Sequence, residues 1–449
     1  MDTFGKKQAK VIPLDLSENQ FQIYNKISRN YSHSFLFESL TGPEELAETS
    51  VMGFDPKIIL KGYLDKVEII EKEKTTTIQT KDPFGELKKL LDKSDDQNYR
   101  YLGGAVGVVN YDSIRLVENI SDYHNSPQPL MEFGIYDDGI LYDKIHEKLF
   151  YFYHDENRFD RLKIENNSFG EFNSSEVTPN MNEEEYSEIV NKAKKYIHDG
   201  DVFQVVLSRK FTFDVTGDNL TLYKTLRKLN PSPYMYHLKQ DKKTIIGASP
   251  EMLVRITDDK VETFPIAGTR KITDDEEKNK ALSEELINDE KELAEHTMLV
   301  DLGRNDIGKV CKYGTVHPES LMKIKRFSHV QHIVSHVVGN LAPENDMFDA
   351  FQAVFPAGTV SGAPKVRAME IIDELEIEAR GPYAGAVGYF SYNGCCDFAI
   401  AIRSIFIEND KGFVQSGAGI VSDSIAKNEF KETEHKAGAM LQALKEASN

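Results

Sequence analysis

Four glutamates carry the clearest chemical possibility in this sequence. Glu292 and Glu295 stand three apart, and Glu429 and Glu432 repeat that spacing near the carboxyl end. Residues three apart on a helix share a face, so two facing helices would present their carboxylates to a hard cation. Mg²⁺ takes oxygen ligands and keeps several waters, which lets it meet an anionic substrate as well. The same spacing in an acidic protein also makes a plain solvated helix face. Arg403 interrupts the apolar run from Phe398 to Ile407. A guanidinium there needs an anion, either a substrate carboxylate gripped bidentately or an internal salt-bridge partner. His332 has apolar neighbours and serves either as a hydrogen-bonded core histidine or as an acid or base near neutrality. Gly417-Ala418-Gly419 follows a strand pattern; it offers backbone N–H groups to a carboxylate or simply makes a tight turn.

Other chemistries are excluded. Pro356 to Lys365 has the glycines of a phosphate loop but not its Gly-Lys-Ser/Thr ending, so no nucleotide site is expected there. Gly417 to Gly419 lacks the third glycine of a dinucleotide fingerprint. No zinc spacing and no nucleophilic Ser or Cys triad is present. Cys311, Cys395 and Cys396 cannot build a disulfide framework, which fits a reducing compartment. A net charge of −19 argues against broad nucleic-acid or acidic-membrane binding, although a pocket can still be locally basic. The amino terminus lacks a signal-peptide core, and no apolar run is long enough to span a bilayer. A soluble, cytoplasmic protein is expected.

The elements that must position these residues are partly legible. Short strands are expected at Val11 to Leu14, Val67 to Ile70 and Leu102 to Tyr111. The polar stretch 156–181 reads as a surface connection between an amino-terminal subdomain, 1–155, and a larger domain, 182–449. Asn182 caps a helix with an apolar stripe at Ile189, Val190, Ala193 and Ile197, which Gly200 stops. Thr273 to Glu276 has capping-box spacing and opens a second helix lined by Leu282, Leu286 and Leu293. A third runs from about Ser424 to Lys445, burying Phe430, Ala437, Leu441 and Leu444. Strands are expected at 385–392, 397–408 and 413–416, the middle one covered on both faces. Gly104-Ala-Val-Gly107 and Gly385-Ala-Val-Gly388 echo each other, as a duplication or as two unrelated Gly-rich strands.

The same positions fall in blocks that resemble the chorismate-utilising enzymes. The blocks are Gly200 to Arg209, Gly247 to Glu251, Pro265 to Arg270, Asp289 to His296 and Asp301 to Asp306, then Ser328 to Ser335, Phe355 to Lys365, Gly417 to Val421 and Glu429 to Ala437. They run in order from Glu183 to the carboxyl end. The resemblance implies an α+β fold of two antiparallel sheets packed face to face and flanked by helices. It also implies chorismate as substrate and Mg²⁺ on Glu295 and Glu432, supported by Glu292 and Glu429. Tyr383, Arg403, the Gly417-Ala418-Gly419 backbone and Lys436 would meet the substrate, with Gly268 and Thr269 beside them. Thr359 and His332 match residues at the ring, and His332 matches the histidine linked to loss of the pyruvyl group.

Two positions discriminate within the family. Isochorismate and salicylate synthases use a lysine base where this chain has Gln204, and a neutral amide cannot take that proton. Many aminodeoxychorismate synthases carry a lysine where this chain has Ala267. Both changes resemble the anthranilate synthase branch, in which ammonia attacks C2, Glu251 protonates the leaving C4 hydroxyl, and pyruvate is eliminated. No glutaminase nucleophile is present, so a separate glutamine amidotransferase subunit is implied, as a heterotetramer of two large and two small subunits. Phe35 to Ser39 looks like that branch's inhibitor motif. Glu38 and Ser39, with Pro233, Tyr234 and Met235, would then hold L-tryptophan. The rivals are an aminodeoxychorismate synthase large subunit and a non-catalytic relative that binds chorismate or tryptophan. The complete carboxylate set with His332 and Arg403 argues against the latter.

Overall fold

Every residue of the strands Gly104–Val109 and Ala386–Ser391 is buried, which a strand achieves only when both of its faces are covered. In the computed structural model, which describes residues 8–15, 18–41, 49–121, 124, 128–162, 168–327 and 330–448, these strands are neighbours. Gly107 lies directly opposite Gly388. A Cβ on Gly107 would lie 2.0 Å from the Glu132 carbonyl oxygen, and one on Gly388 2.2 Å from that of Asp397. The repeated Gly-Ala-Val-Gly thus marks two adjacent strands whose neighbours approach too closely for a side chain.

Two antiparallel sheets organise the described residues, one of 13 strands and one of 12. Each takes strands from both ends of the chain. Strands from His33–Glu38 and Tyr234–Gln240 pair in the larger sheet, and Gly104–Val109 pairs Ala386–Ser391 in the smaller. Strands within the 156–181 connection, Phe172–Ser174 and Thr178–Pro179, add to the edge of Gln204–Gly217. The inner faces share one core, in which Phe35, Phe133, Phe390 and Phe398 are fully withdrawn from water. Burying each such ring contributes roughly 1.5–3 kcal/mol. Helices cover the outer face of the larger sheet, where Tyr24, Leu222, Ala437 and Leu444 form a second cluster. The expected α+β architecture of two face-to-face sheets flanked by helices is what the chain forms. Among the described residues, no helix is long and apolar enough to cross a membrane.

The local signals match the structure in part. Asn182 caps the helix Glu183–His198 in a full capping box with Glu185, and Gly200 ends it at a positive φ. The second helix is in fact two, Glu276–Ile287 and Glu290–Gly308. Asp289 breaks it by accepting the Lys291 and Glu292 N–H groups, and Asp275, not Thr273, caps the first piece. The last helix, Ala426–Ala447, buries Thr433, Ala437, Met440, Ala443 and Leu444, leaving Phe430 and Leu441 half-buried. Two helices, Gln20–Asn30 and Pro83–Leu90, lie where only strands were expected.

The largest correction concerns the run containing Arg403. It is two strands, Cys396–Ile400 in the smaller sheet and Ser404–Glu408 in the larger. The chain crosses between the sheets at Ala401 to Arg403, where Arg403 adopts φ 52°. Apolar residues on both faces are required on either side of the crossing, so hydrophobicity alone could not reveal it. Gly417 to Gly419 likewise lie within the strand Lys411–Ile420 and not in a turn.

Candidate active site

The crossing at Arg403 opens a cleft. Ser404–Glu408 pairs with Lys411–Ile420 only from Ile405 opposite Val414 to Glu408 opposite Lys411, so the strand beyond Val414 has a free side. Gly417 and Gly419 face Ser208 and Val206 across the other side. Those two residues donate their N–H groups elsewhere, Ser208 to Glu376 at 2.8 Å and Val206 to the Ser361 carbonyl at 2.8 Å. In an antiparallel ladder this makes both pairs non-hydrogen-bonded, so the backbone groups of Gly417 and Gly419 point into the cleft. Lys436 confirms the direction by donating to the Gly417 carbonyl at 3.1 Å. Arg403 donates to the Lys436 carbonyl at 2.7 Å. A Cβ on Gly417 would stand 3.0 Å from the Tyr383 hydroxyl, and one on Gly419 2.5 Å from Gln204 Nε2. Two cations and a row of backbone donors therefore line one wall, an arrangement that suits carboxylates.

His332 lies on the strand Val330–Asn340, across from Thr269. The register slips between Ala267 and Thr269, leaving Gly268 as a bulge at φ 66°. Its carbonyl lies 2.8 Å from His332 Nδ1, and the Thr269 hydroxyl lies 3.1 Å from the same nitrogen. Nδ1–H donating to that carbonyl leaves Nε2 with a lone pair. Burial pushes the His332 pKa down to about 4, with Arg403 and Lys436 lowering it further and the Gly268 contact opposing them. The ring is therefore a neutral base at pH 7. Gly268 must stay small, since a Cβ there would meet Leu286 at 2.9 Å and Glu292 at 3.1 Å.

Glu251 sits between the sheets at 8% exposure. Burial raises its pKa to about 7, against the pull of the Thr359 hydroxyl, Lys436 and Arg403. Thr359 exerts that pull without a hydrogen bond of good geometry, and its Oγ1 is buried. The pair shares a small cavity of about 40 Å³ with Ile400 and Leu302. Glu251 is thus a carboxyl that titrates near neutrality in the field of two cations, as a general acid requires.

The glutamate pairs come partly together. The Glu295 carboxyl is raised by burial and then by Glu292 and Glu432, while Lys436 and Gln204 lower it. Glu429 is likewise raised by burial, and Glu432 adds to the shift. Carboxylates that raise one another in this way are stabilised by a cation between them. Glu432 meanwhile pairs with Lys436 at 2.6 Å and Glu292 with Arg270 at 3.0 Å. Among the described residues, no three or more His, Cys, Asp or Glu side chains are grouped closely enough to hold a metal. Glu295, which feels the charge of Glu432, and Glu432 itself are oxygen donors of the kind Mg²⁺ takes, and that ion needs only one or two carboxylates besides water and substrate.

All five residues expected at the inhibitor site, Glu38, Ser39, Pro233, Tyr234 and Met235, line one separate cavity with Arg100, Arg255 and Asp397. The Glu38 carboxylate itself is taken up by Tyr223, Arg227 and Gln20 on the helix side of the sheet. Ser328, within an expected motif, lies outside the described residues.

Two contributors were missed. Arg270 binds Glu285, Asp289 and Glu292 at once, fixing the break between the two helices. Arg380 is fully buried, donating to Glu376 and to the Val360 and Val206 carbonyls, with its guanidinium 5.6 Å from the Tyr383 ring. No helical spacing signals the second, because Glu376 and Arg380 lie beyond the end of the helix Lys365–Leu375.

Residues 32–442 match the family model described as chorismate binding enzyme. The chain is 43% identical over 433 residues to anthranilate synthase component 1 of Methanothermobacter marburgensis, covering 95% of this chain and 93% of the relative. It is 41% identical over 478 residues to anthranilate synthase component 1 of Acetivibrio thermocellus, covering 98% and 97%. The crystal structure of anthranilate synthase component I from Streptococcus pneumoniae superposes with a TM-score of 0.79 at 37% identity, covering 88% of this chain and 92% of that one. A menaquinone-specific isochorismate synthase from Escherichia coli shares the fold at 18% identity, with a TM-score of 0.75 and coverage of 98% and 95%.

Proposed function

The chain belongs to the family of chorismate binding enzymes, and from that premise we propose that it is the large subunit of an anthranilate synthase. It converts chorismate and ammonia to anthranilate, pyruvate and water, as a lyase of tryptophan biosynthesis. The observation that supports the reading is that Arg403 and Lys436 act on both an acid and a base: Glu251, whose carboxyl is raised to about 7, and His332, lowered to about 4 and so neutral at pH 7. Arg403, Lys436 and the Gly417 to Gly419 backbone hold the substrate carboxylates, and Tyr383 closes the wall beside them. Ammonia forms the N–C2 bond as the C4–O bond breaks, Glu251 gives its proton to the departing hydroxyl, which leaves as water, and the new ammonium group loses one proton to solvent. His332 then takes the C2 proton, the C3–O bond breaks, and the enolate of pyruvate leaves and takes one proton at its methylene carbon to become pyruvate, while His332 returns its proton to solvent. Thr359 shares the cavity of Glu251 and favours its ionised form. Gln204, a neutral amide beside Glu295, cannot activate water as a lysine would, which leaves ammonia as nucleophile.

Mg²⁺ held by Glu295 and Glu432, with Glu292 and Glu429 behind them, would neutralise substrate carboxylate charge and the developing charge beside it. Ammonia is supplied by a glutamine amidotransferase subunit, and the cavity around Ser39 and Met235 takes L-tryptophan as feedback inhibitor. The assembly is a cytoplasmic heterotetramer of two large and two small subunits. The test is chorismate with Mg²⁺ and an ammonium salt. Anthranilate fluorescence and pyruvate in equal amounts are expected. A non-aromatic amino product would assign the chain to the aminodeoxychorismate reaction, and absence of turnover would make it a binding protein.

A further inference from the structure

A cavity that belongs to neither the cleft nor the inhibitor pocket lies between the two sheets. It measures about 560 Å³ and is lined by Phe406 and Phe413 of the larger sheet and Val108 of the smaller. No residue on its wall lines the cavities around Glu251 or Ser39. A volume of that size is typical of a small-molecule site and unlike the close packing elsewhere between the sheets.

Its chemistry selects an occupant. Five carboxylates and three lysines stand on the wall. Each lysine already meets a carboxylate: Lys210 with Glu378 at 2.5 Å, Lys243 with Glu132 at 3.2 Å, and Lys411 with Asp214 at 2.6 Å. Glu408 accepts from Gln128 at 2.8 Å and stands 4.0 Å from Lys243, which it shares with Glu132, so the five carboxylates still outnumber the three lysines on the wall by two. The floor is aromatic. Phe406 and Phe413 lie 4.9 Å apart, and the Lys210 ammonium stands 4.9 Å from the Phe413 ring, so this surface already accepts a cation. Gln240, 4% exposed and part of the wall, gives its Nε2 to the Glu132 carbonyl, and its Oε1 has no donor among the described residues. Surplus carboxylate, ring faces and an unpaired acceptor all call for a positively charged N–H donor on an apolar body.

We propose that this cavity is a second ligand site, which binds a small organic cation: a primary ammonium carried on an aromatic or similarly apolar body. The ammonium lies toward Glu408 and the body against Phe406 and Phe413. The proposal does not depend on the reaction assigned to the cleft, because it is read by binding alone. The probe is 2-phenylethylamine, titrated calorimetrically into the full chain, with 3-phenylpropionate as its anionic counterpart. The amine is expected to bind saturably with a Kd below about 1 mM. Glu408→Gln, which removes surplus charge, and Thr212→Trp, which fills the mouth from an exposed strand position, should each weaken binding about tenfold or more, about 1.4 kcal/mol. Chorismate turnover should be unchanged in both. Absence of binding, equal binding of the carboxylate, or amine affinity untouched by both variants would overturn the proposal. The comparison of amine with carboxylate on the unaltered chain stands even if a variant fails to fold.

Discussion

Glu38 and Glu251 are almost equally withdrawn from water, at 3% and 8% exposure, yet the protein treats them in opposite ways. Glu38 accepts from the Tyr223 hydroxyl at 2.7 Å, from Arg227 at 2.7 and 3.0 Å, and from Gln20 at 3.3 Å. Its charge is matched by partners, and it ties the strand His33–Glu38 to the helices Asn219–Leu229 and Gln20–Asn30. Glu251 has no such set. Its nearest cations, Arg403 and Lys436, act from a distance, and burial lifts its pKa to about 7. A buried charge that is fully compensated holds structure together, whereas one left protonated beside an open cleft is available to chemistry.

Replacing each glutamate should separate the two roles. Glu251→Gln should lower kcat by about 10²–10⁴-fold, the usual worth of a positioned acid. Its stability should part from that of the unaltered protein only at high pH. The folded-state pKa of Glu251 lies above its ordinary value, so its favourable contribution is present at low pH and lost as pH rises through about 7. Urea titrations at pH 5 and 8 should therefore show a loss in the unaltered protein, of order 3 kcal/mol, that the glutamine variant lacks. Glu38→Ala should do the reverse. Leaving Arg227 and Tyr223 without their acceptor should cost about 3–5 kcal/mol of stability, while the folded fraction keeps its turnover within about twofold in the absence of inhibitor. A large fall in kcat without a fall in stability would break the comparison. Tyr223→Phe is the finer cut. It removes one hydrogen bond to a charged group, for about 1.5–3 kcal/mol in thermal or urea unfolding and no change in the pH profile.

The contrast also explains what could be read from the sequence. Signals contained within one turn were legible: Asn182 with Glu185, Gly200, and the paired Gly-Ala-Val-Gly strands. The candidate site was legible as motifs but not as geometry. Arg403 was recognised as a charge needing an anion, yet its place at the crossing between sheets was hidden, because strands on both sides of it are apolar on both faces. Asp289 was passed over as a helix break because its capping role depends on only two N–H groups within a long run of helix-forming residues. Glu38 was read as an inhibitor-site residue, but its partners at Tyr223 and Arg227 stand 185 and 189 positions away, and no local pattern connects them. Environments set by long-range packing decide which glutamate is compensated, and sequence spacing does not carry that information.

The most direct test is the pH dependence of kcat/KM for chorismate, with rates expressed per free ammonia, in the unaltered chain and in Glu251→Gln. A rise through about pH 4 as His332 becomes a base and a fall through about pH 7 as Glu251 ionises are expected, with the upper limb absent from the low residual activity of the variant. An upper limb that persists unchanged in Glu251→Gln, or a variant that retains full activity, would contradict it.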